Sequence, residues 1–254
     1  MTNQSPKRVT VRTIKTAIVA SIFAATICTV SAQGPAPEKV PGWDTSAALG
    51  FTLTRGNSDT LLFTGNFLTG KKWDQNELSF GSDAAYGENN GEKNAESVHG
   101  FGQYNRLLTE RIYGYLRLDG LHDAVADVQY RFTLSPGAGY YFIKTENTKL
   151  SGEIGPGFIY EKQGEDTRGY FTLRLAERFD QKMSDRAKIW QSVEILPQVD
   201  DFDNYIVNAE IGVETSLTAK LSLRNYLQDS YDNRPASGRE KNDLKLVTSL
   251  AYKF

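Results

Sequence analysis

Residues 244–254 read Leu-Lys-Leu-Val-Thr-Ser-Leu-Ala-Tyr-Lys-Phe, so that large apolar side chains alternate with small or charged ones up to an aromatic last residue. In a β-strand, successive side chains point to opposite faces of the sheet. A long strand with one apolar face and one mostly polar face is typical of an outer-membrane β-barrel, where one face contacts lipid and the other a polar lumen. The apolar face here would carry Leu244, Leu246, Thr248, Leu250, Tyr252 and Phe254.

The same alternation recurs along residues 43–254 in about twelve segments of about 9–14 residues, the length that a tilted membrane-spanning strand needs. The fourth, fifth, ninth and eleventh segments alternate less regularly, so their register is not predicted. The mean hydropathy is −0.45, and no long apolar run follows residue 32, which excludes a helical membrane protein. We therefore predict an all-β fold, a closed antiparallel transmembrane β-barrel of about 12 strands. The clearest apolar stripes lie in residues 43–53, 78–86, 130–142, 150–160, 171–175 and 205–213.

Residues 1–32 have the layout of a cleaved secretory signal peptide, with four basic residues before an apolar run and small residues before Gln33. A membrane anchor is the alternative, but the run of about 14 residues is short for a span that needs ~20. Cleavage would remove Cys28, the one cysteine, and change the formal charge from −2 to −2 − 4 = −6. An acidic chain without cysteine excludes disulfides and thiolate metal sites, and it argues against nucleic-acid binding.

Residues 33–42 contain three prolines and no periodicity, so we expect a periplasmic lead-in before a barrel that occupies residues 43–254. The connections that begin near residues 55, 88, 122, 163, 197 and 231 look longer than those near 74, 109, 144 and 217. Such an alternation is expected when one rim faces outside and the other faces the periplasm, and an even strand number then makes both termini periplasmic. In this orientation Trp43, Trp73 and Trp190 lie near the periplasmic interface, where an amphipathic ring is stable.

The polar faces of the segments carry many charges. An unpaired charge in hydrocarbon is costly, so these groups must face water or one another. A barrel of twelve strands encloses a lumen between those of filled eight-stranded barrels and open sixteen-stranded porins. The charges either leave a narrow aqueous path or cross-link the lumen shut, and the sequence leaves both open. The charged residues that we expect to line the lumen are Arg117, Asp119, Arg131, Glu153, Arg174, Arg178, Glu210, Glu214 and Arg224.

Other interpretations start from particular residues. Ser97 and His99 share a strand face, as a membrane hydrolase would need, but no oxyanion hole is evident, so we predict no enzyme and no catalytic residue. Residues 200–204 hold three aspartates without the spacing of a calcium loop, so we predict no metal and no cofactor. A soluble, lipocalin-like barrel with its apolar faces inward explains the alternation, but not the number of long strands or the terminal phenylalanine.

Three local patterns together resemble the salt-induced outer membrane protein family, also called domain of unknown function 481. The patterns are Ala48-Leu49-Gly50 leading to Gly56-Asn57-Ser58-Asp59-Thr60, then Gly137-Ala138-Gly139-Tyr140-Tyr141-Phe142, and the terminal Leu250-Ala251-Tyr252-Lys253-Phe254. The resemblance covers essentially all of residues 43–254. It implies location in the outer membrane and a link to salt or osmotic stress, and it brings no established catalytic residues.

We therefore expect an integral outer-membrane protein of the salt-stress type that forms a narrow channel for ions or small solutes. The alternative is a structural barrel that stabilises the envelope and has a blocked lumen. The expected partners are outer-membrane lipid and lipopolysaccharide, with the barrel-assembly machinery during insertion. Tyr252 and Phe254 would form the membrane-insertion signal. No nucleic-acid partner is expected, and the oligomeric state is not predicted.

Overall fold

The computed structural model describes residues 42–54 and 60–254. Every strand pairs antiparallel with its neighbours in sequence, and β12 pairs with β1, which closes the sheet into a barrel. The prediction of a closed antiparallel barrel of about twelve strands is confirmed. The twelve strands of this part of the chain are β1 (Asp44–Thr54), β2 (Thr60–Trp73), β3 (Asn76–Asn89), β4 (Glu92–Leu107), β5 (Ile112–Asp123), β6 (Val128–Lys144), β7 (Thr148–Gln163), β8 (Asp166–Lys182), β9 (Ala187–Gln198), β10 (Asp201–Ser216), β11 (Leu221–Asp232) and β12 (Asn242–Lys253).

Several predictions concern residues outside this range. They are the signal peptide at residues 1–32, with Cys28, the lead-in up to residue 41, and the turn at residues 55–59. Among the described residues, no helix combines the length and the apolar character that a membrane span needs.

The inner face of the barrel is identified by side chains that touch across strands that are not neighbours. Arg224 of β11 donates to Asn66 of β2 at 3.3 Å, and Lys245 of β12 donates to Ser97 of β4 at 3.3 Å. The opposite face carries the predicted apolar stripes, and Leu246 on it is 69% exposed. The lipocalin-like alternative is therefore wrong, because the apolar side chains cover the outside and the charges face inward.

The strands are longer than a bilayer requires. β6 and β8 each have 17 residues, whereas about 9–11 residues cross the hydrocarbon, so the strand ends project into water. The loops predicted near residues 88–94, 163–167 and 197–204 are wrong for this reason, since only residues 90–91, 164–165 and 199–200 separate the strands there. Asn90 and Gly91 have φ values of 52° and 79°, which suit a tight type I′ hairpin turn.

We call the end of the barrel where β1 begins and β12 ends the terminal rim, and the opposite end the distal rim. The described connections at the terminal rim have two to four residues, and those at the distal rim have two to four except residues 233–241 between β11 and β12. The predicted alternation of longer and shorter connections is thus absent from the described turns, and turn length does not orient the barrel in the membrane.

Candidate functional site in the lumen

All nine charged residues predicted for the lumen lie on the inner face. The period of two along each strand places them there, because they make, or share parity with side chains that make, inner-face contacts between strands. Their bonding differs with depth. The distal level is bridged by side chains from nearly opposite strands, and the middle level is a continuous polar network from β3 to β9. At the terminal level the ion pairs join residues of the same or adjacent strands, and the Arg178–Asp180 pair is exposed.

The distal level is built around Glu161, which is fully buried. Arg131 and Arg168 both donate to its carboxylate, the latter at 2.8 Å, and the Tyr170 hydroxyl donates at 3.0 Å. A carboxylate without water contact is stable only when its oxygens accept hydrogen bonds from charged or polar donors, and here three donors supply them.

Arg131 also reaches across the lumen. Its Nη2 atom donates to Asp232 Oδ2 at 2.8 Å, and Gln163 Nε2 donates to the same oxygen at 3.1 Å. Arg131 lies on β6 and Asp232 on β11, and four strands separate them along the shorter arc of the wall. The Arg131–Asp232 pair therefore bridges the barrel interior. We call Arg131, Glu161, Gln163, Arg168 and Asp232 the distal cluster.

A second connection crosses the same level. Lys245 of β12 donates to Ser97 of β4 and lies 3.7 Å from an oxygen of Asp123 on β5. Three strands separate β12 from β4, and four separate it from β5. The distal part of the lumen is thus spanned by two polar connections between nearly opposite walls.

The middle level begins with His99, whose ring lies between two carboxylates. Its Nδ1 is 3.0 Å from Asp83 and its Nε2 is 3.3 Å from Asp119. Arg117 donates from Nε and Nη2 to the two oxygens of Asp119, at 2.9 and 2.6 Å, in the two-pronged geometry that guanidinium favours. Its guanidinium also lies 4.3 Å from the centre of the Phe101 ring.

The network continues along the wall through Gln103 and Glu153. Gln103 accepts from Arg117 at 3.1 Å and donates to Glu153 at 2.8 Å. Arg174 then links Glu153, at 2.7 Å, to Glu194, at 2.6 Å. Polar contacts therefore run without a break from β3 to β9.

Two glycines on β6 leave space for the tyrosine rings that contact this network. A Cβ atom on Gly139 would lie 2.2 Å from the Tyr113 ring, and one on Gly137 would lie 2.5 Å from the Tyr115 ring. Only a residue without a side chain lets these rings lie against the wall. The Tyr113 hydroxyl then donates to Glu153 at 2.9 Å, and Tyr115 packs beneath the Arg174 guanidinium.

At the terminal level the charges pair over short distances along the wall. Arg178 donates from two nitrogens to Asp180, two residues away on β8, and both side chains are exposed to the lumen. Glu214 accepts from Arg224 and lies 3.3 Å from Lys188. No described contact at this level joins opposite walls in the way that Arg131 and Asp232 do at the distal level.

The three tryptophans do not form one group. Trp43 stacks on Phe80 at 6.5 Å on the outer face near the terminal rim, and Trp73 ends β2 at that rim. Trp190 faces the lumen, where its Nε1 donates to Glu210 and its ring covers Gly212. Its predicted place at the lipid interface is wrong, because the inner face of β9 carries its even-numbered residues.

Tyr252 and Phe254 lie on the outer face of the terminal rim with ring centres 5.2 Å apart. Neither ring has a contact to the lumen network among the described residues. Their predicted part in membrane insertion stays a prediction.

Ser97 and His99 share the inner face but bind different groups. Both ring nitrogens of His99 are engaged by Asp83 and Asp119, and the Ser97 hydroxyl contacts Lys245. A serine nucleophile needs a free imidazole nitrogen as its base, and this arrangement offers none to Ser97. Within the described residues, no three His, Cys, Asp or Glu side chains gather to hold a metal ion, and Asp201 pairs instead with Arg234 at 2.6 Å.

The sequence interpretation missed Glu161, Arg168, Glu194 and Asp232. Glu161 has the same parity as Glu153 on β7, so the period of two could have identified it. Asp232 lies in a stretch predicted to be a loop but is the last residue of β11, and nothing in the local sequence indicates a partner on β6.

The sequence model of a family described as "Protein of unknown function, DUF481" matches residues 47–254. No curated protein matches the sequence. Among solved structures, the NanC porin is 8% identical, with a TM-score of 0.51 over 83% of this chain and 100% of its own. A KdgM porin is 8% identical (TM-score 0.46, 84% and 99%), and the translocator domain of the autotransporter NalP from Neisseria meningitidis is 12% identical (TM-score 0.45, 84% and 87%). At 8% identity, the likeness to the NanC porin shows a porin-like barrel fold and not a shared ligand.

Proposed function

The chain belongs to the DUF481 family of unknown function, and we propose that it is an integral outer-membrane barrel whose lumen conducts small ions. The exposure of charged groups inside the barrel supports conduction. The side chain of Arg178 is 54% exposed and that of Asp83 is 35% exposed, although both face inward. Side chains that filled the lumen by packing would bury these groups, as they bury Glu161.

The charges of the middle level favour cations. Two arginines, Arg117 and Arg174, lie there against four carboxylates, Asp83, Asp119, Glu153 and Glu194, with His99 between two of them. An excess of carboxylate around a narrow aqueous path lowers the energy of a passing cation and raises that of an anion. The direct ion pairs neutralise most of this charge, so the preference is expected to be weak.

The outer surface supports location in the outer membrane. Its apolar side chains would contact acyl chains, and its charged rims would contact lipid head groups and lipopolysaccharide. The role in salt or osmotic stress that the family resemblance implies stays part of this proposal. A deletion strain that grows as well as its parent across a range of salt concentrations would contradict that role.

A structural barrel with a blocked lumen is the second candidate, and the distal cluster favours it. The bridge from Arg131 to Asp232 and the contact of Lys245 with Ser97 both cross the lumen where a solute would enter. In this case the barrel would stabilise the envelope without passing ions.

Recordings from purified, refolded protein in planar bilayers distinguish the two candidates. Folding is checked first by heat-modifiable gel mobility. Conduction predicts discrete current steps and a reversal potential in a salt gradient that indicates cation preference. Asp83→Asn should reduce this preference, whereas the matched Asp185→Asn, in an exposed turn of the terminal rim, should change it less. Silent bilayers from folded protein, including a variant with the distal bridge removed, would reject conduction.

A further inference from the structure

The connection between β11 and β12, residues 233–241, is the longest described turn. Ala236 is only 8% exposed, although it lies in a polar loop at a rim. A Cβ atom built on Gly164, in the turn between β7 and β8, would lie 3.5 Å from the Ala236 methyl group. Three strands separate β11 from β7, so the tip of the loop reaches over the distal mouth to another part of the rim.

The near end of this loop is fixed to its own side of the barrel. The Asn233 amide donates to the Tyr205 carbonyl at 3.0 Å, and Arg234 pairs with Asp201 at 2.6 Å. The Asp232 amide donates to the Lys241 carbonyl at 2.8 Å, which closes the base of the loop. The position of the tip is therefore controlled from a fixed base.

Asp232 connects this base to the far wall. One of its oxygens accepts from Arg131 and Gln163 across the lumen, and the other accepts from the Arg234 amide at 2.9 Å inside the loop. The same carboxylate thus holds the start of the loop and bridges the channel. The tip, in contrast, is attached through a methyl group against a glycine turn, which is a small apolar contact.

We propose that residues 233–241 form a gate over the distal mouth, held closed by the bonds of Asp232 to Arg131 and Gln163. This inference rests on the proposed conduction. Loss of the bonds from Arg131 and Gln163 to Asp232 removes the bridge across the distal lumen. The loop then stays attached at its base through Asn233 and Arg234, and only the apolar contact of Ala236 holds its tip over the mouth. The exposed charges of the middle and terminal levels then form the rest of the conducting path.

An engineered disulfide tests the gate directly. The 3.5 Å separation between Cβ positions suits a disulfide between Gly164→Cys and Ala236→Cys, and the natural sequence has no cysteine after Cys28. In planar bilayers, the oxidised double variant should lose its openings, and reduction should restore them. The wild-type protein should respond to neither treatment. Equal currents before and after reduction, with the cross-link verified on a gel, would overturn the gate and leave conduction intact.

Asp232→Ala provides an independent test. It leaves Gly164 unchanged and so avoids a side chain at that position, where φ is 59°. The variant should open more often than the wild-type protein, and the matched Asp203→Ala, which removes a nearby carboxylate outside the bridge, should not. An unchanged open fraction in folded Asp232→Ala would overturn the gate. If the wild-type protein and Asp232→Ala are both folded and silent, the proposed conduction fails, and the gate fails with it.

Discussion

Arginine–aspartate pairs occur at both ends of the lumen, but they join different parts of the wall. Near the distal rim, Arg131 pairs with an aspartate on a strand almost opposite, whereas near the terminal rim Arg178 pairs with Asp180 on its own strand. The first pair spans the space between the walls, and the second stays on one wall. Composition alone therefore does not decide whether a charged lumen conducts. The strand separation between partners decides which charges bridge the lumen.

The burial of Glu161 differs in the same way from that of Arg178 and Asp180, although the terminal pair of Arg224 and Glu214 is itself largely buried. The distal Glu161 is shielded from water by its three donors, whereas Arg178 and Asp180 keep large exposed fractions. Removing one member of a buried pair leaves an uncompensated charge, whereas exposed pairs contribute little to stability. Substitutions at the two ends should therefore differ most in their effect on the free energy of unfolding.

The largest effect is expected for Glu161→Gln. It leaves Arg131 and Arg168 facing a neutral amide in a buried site, so the free energy of unfolding should fall by about 3–5 kcal/mol. The matched Asp180→Asn at the terminal level should cost less than about 1 kcal/mol. Denaturant titrations of the refolded barrel, followed by gel mobility, measure both. Equal losses of unfolding free energy in the two variants would show that the buried bonds of Glu161 do not stabilise the barrel more than the exposed Arg178–Asp180 pair does.

A smaller loss of unfolding free energy is expected for a substitution at the middle level, where tyrosine rings pack against the polar network. Gly139→Ala would force the Tyr113 ring off the wall and should cost about 1–3 kcal/mol, as overpacking of a filled site does. Gly114→Ala is the control, because a Cβ atom there meets its nearest neighbour only at 3.9 Å. The same titration applies. A cost for Gly114→Ala that matched or exceeded that of Gly139→Ala would argue against close packing of the ring.

The smallest effect concerns ion selectivity. Arg178→Glu reverses an exposed charge at the terminal level, so cation preference should rise, as a shift of the reversal potential in a salt gradient. Arg111→Glu changes the same charge in an exposed turn of the terminal rim, outside the lumen, and should shift it less. The difference should shrink at high salt, since the Debye length falls from ~10 Å at 0.1 M to ~3 Å at 1 M. A shift toward anions would place Arg178 away from the ion path.

The sequence predicted the barrel and its inner and outer faces because both follow from a period of two. Phe132 and Leu246, for example, belong to regular stripes and lie outside, and Glu153 and Arg174 lie inside on the opposite parity. Turn chemistry also carries information, since Asn90-Gly91 is a strong signal for a tight hairpin turn within the loop predicted near residue 88.

Other features depend on tertiary structure. Trp190 lies on β9, where apolar and polar residues do not alternate regularly. The sequence pattern of this strand therefore does not indicate that the Trp190 ring faces inward. The partnership of Arg131 with Asp232 joins residues 101 positions apart and depends on the curvature of the closed sheet. No pattern of residue types along the chain indicates which of the inward charges will cross the lumen.

The central claim is that the outer face of this closed sheet is apolar and the inner face is wet. Spin labels at Phe132 and Leu246, compared with one at Asp180, test it in refolded protein in lipid vesicles. The two outer labels should collide with dissolved oxygen and be shielded from a water-soluble nickel chelate, and the label at position 180 should show the reverse. Outer labels that are accessible to the chelate, with an inner label that is shielded from it, would contradict the claim.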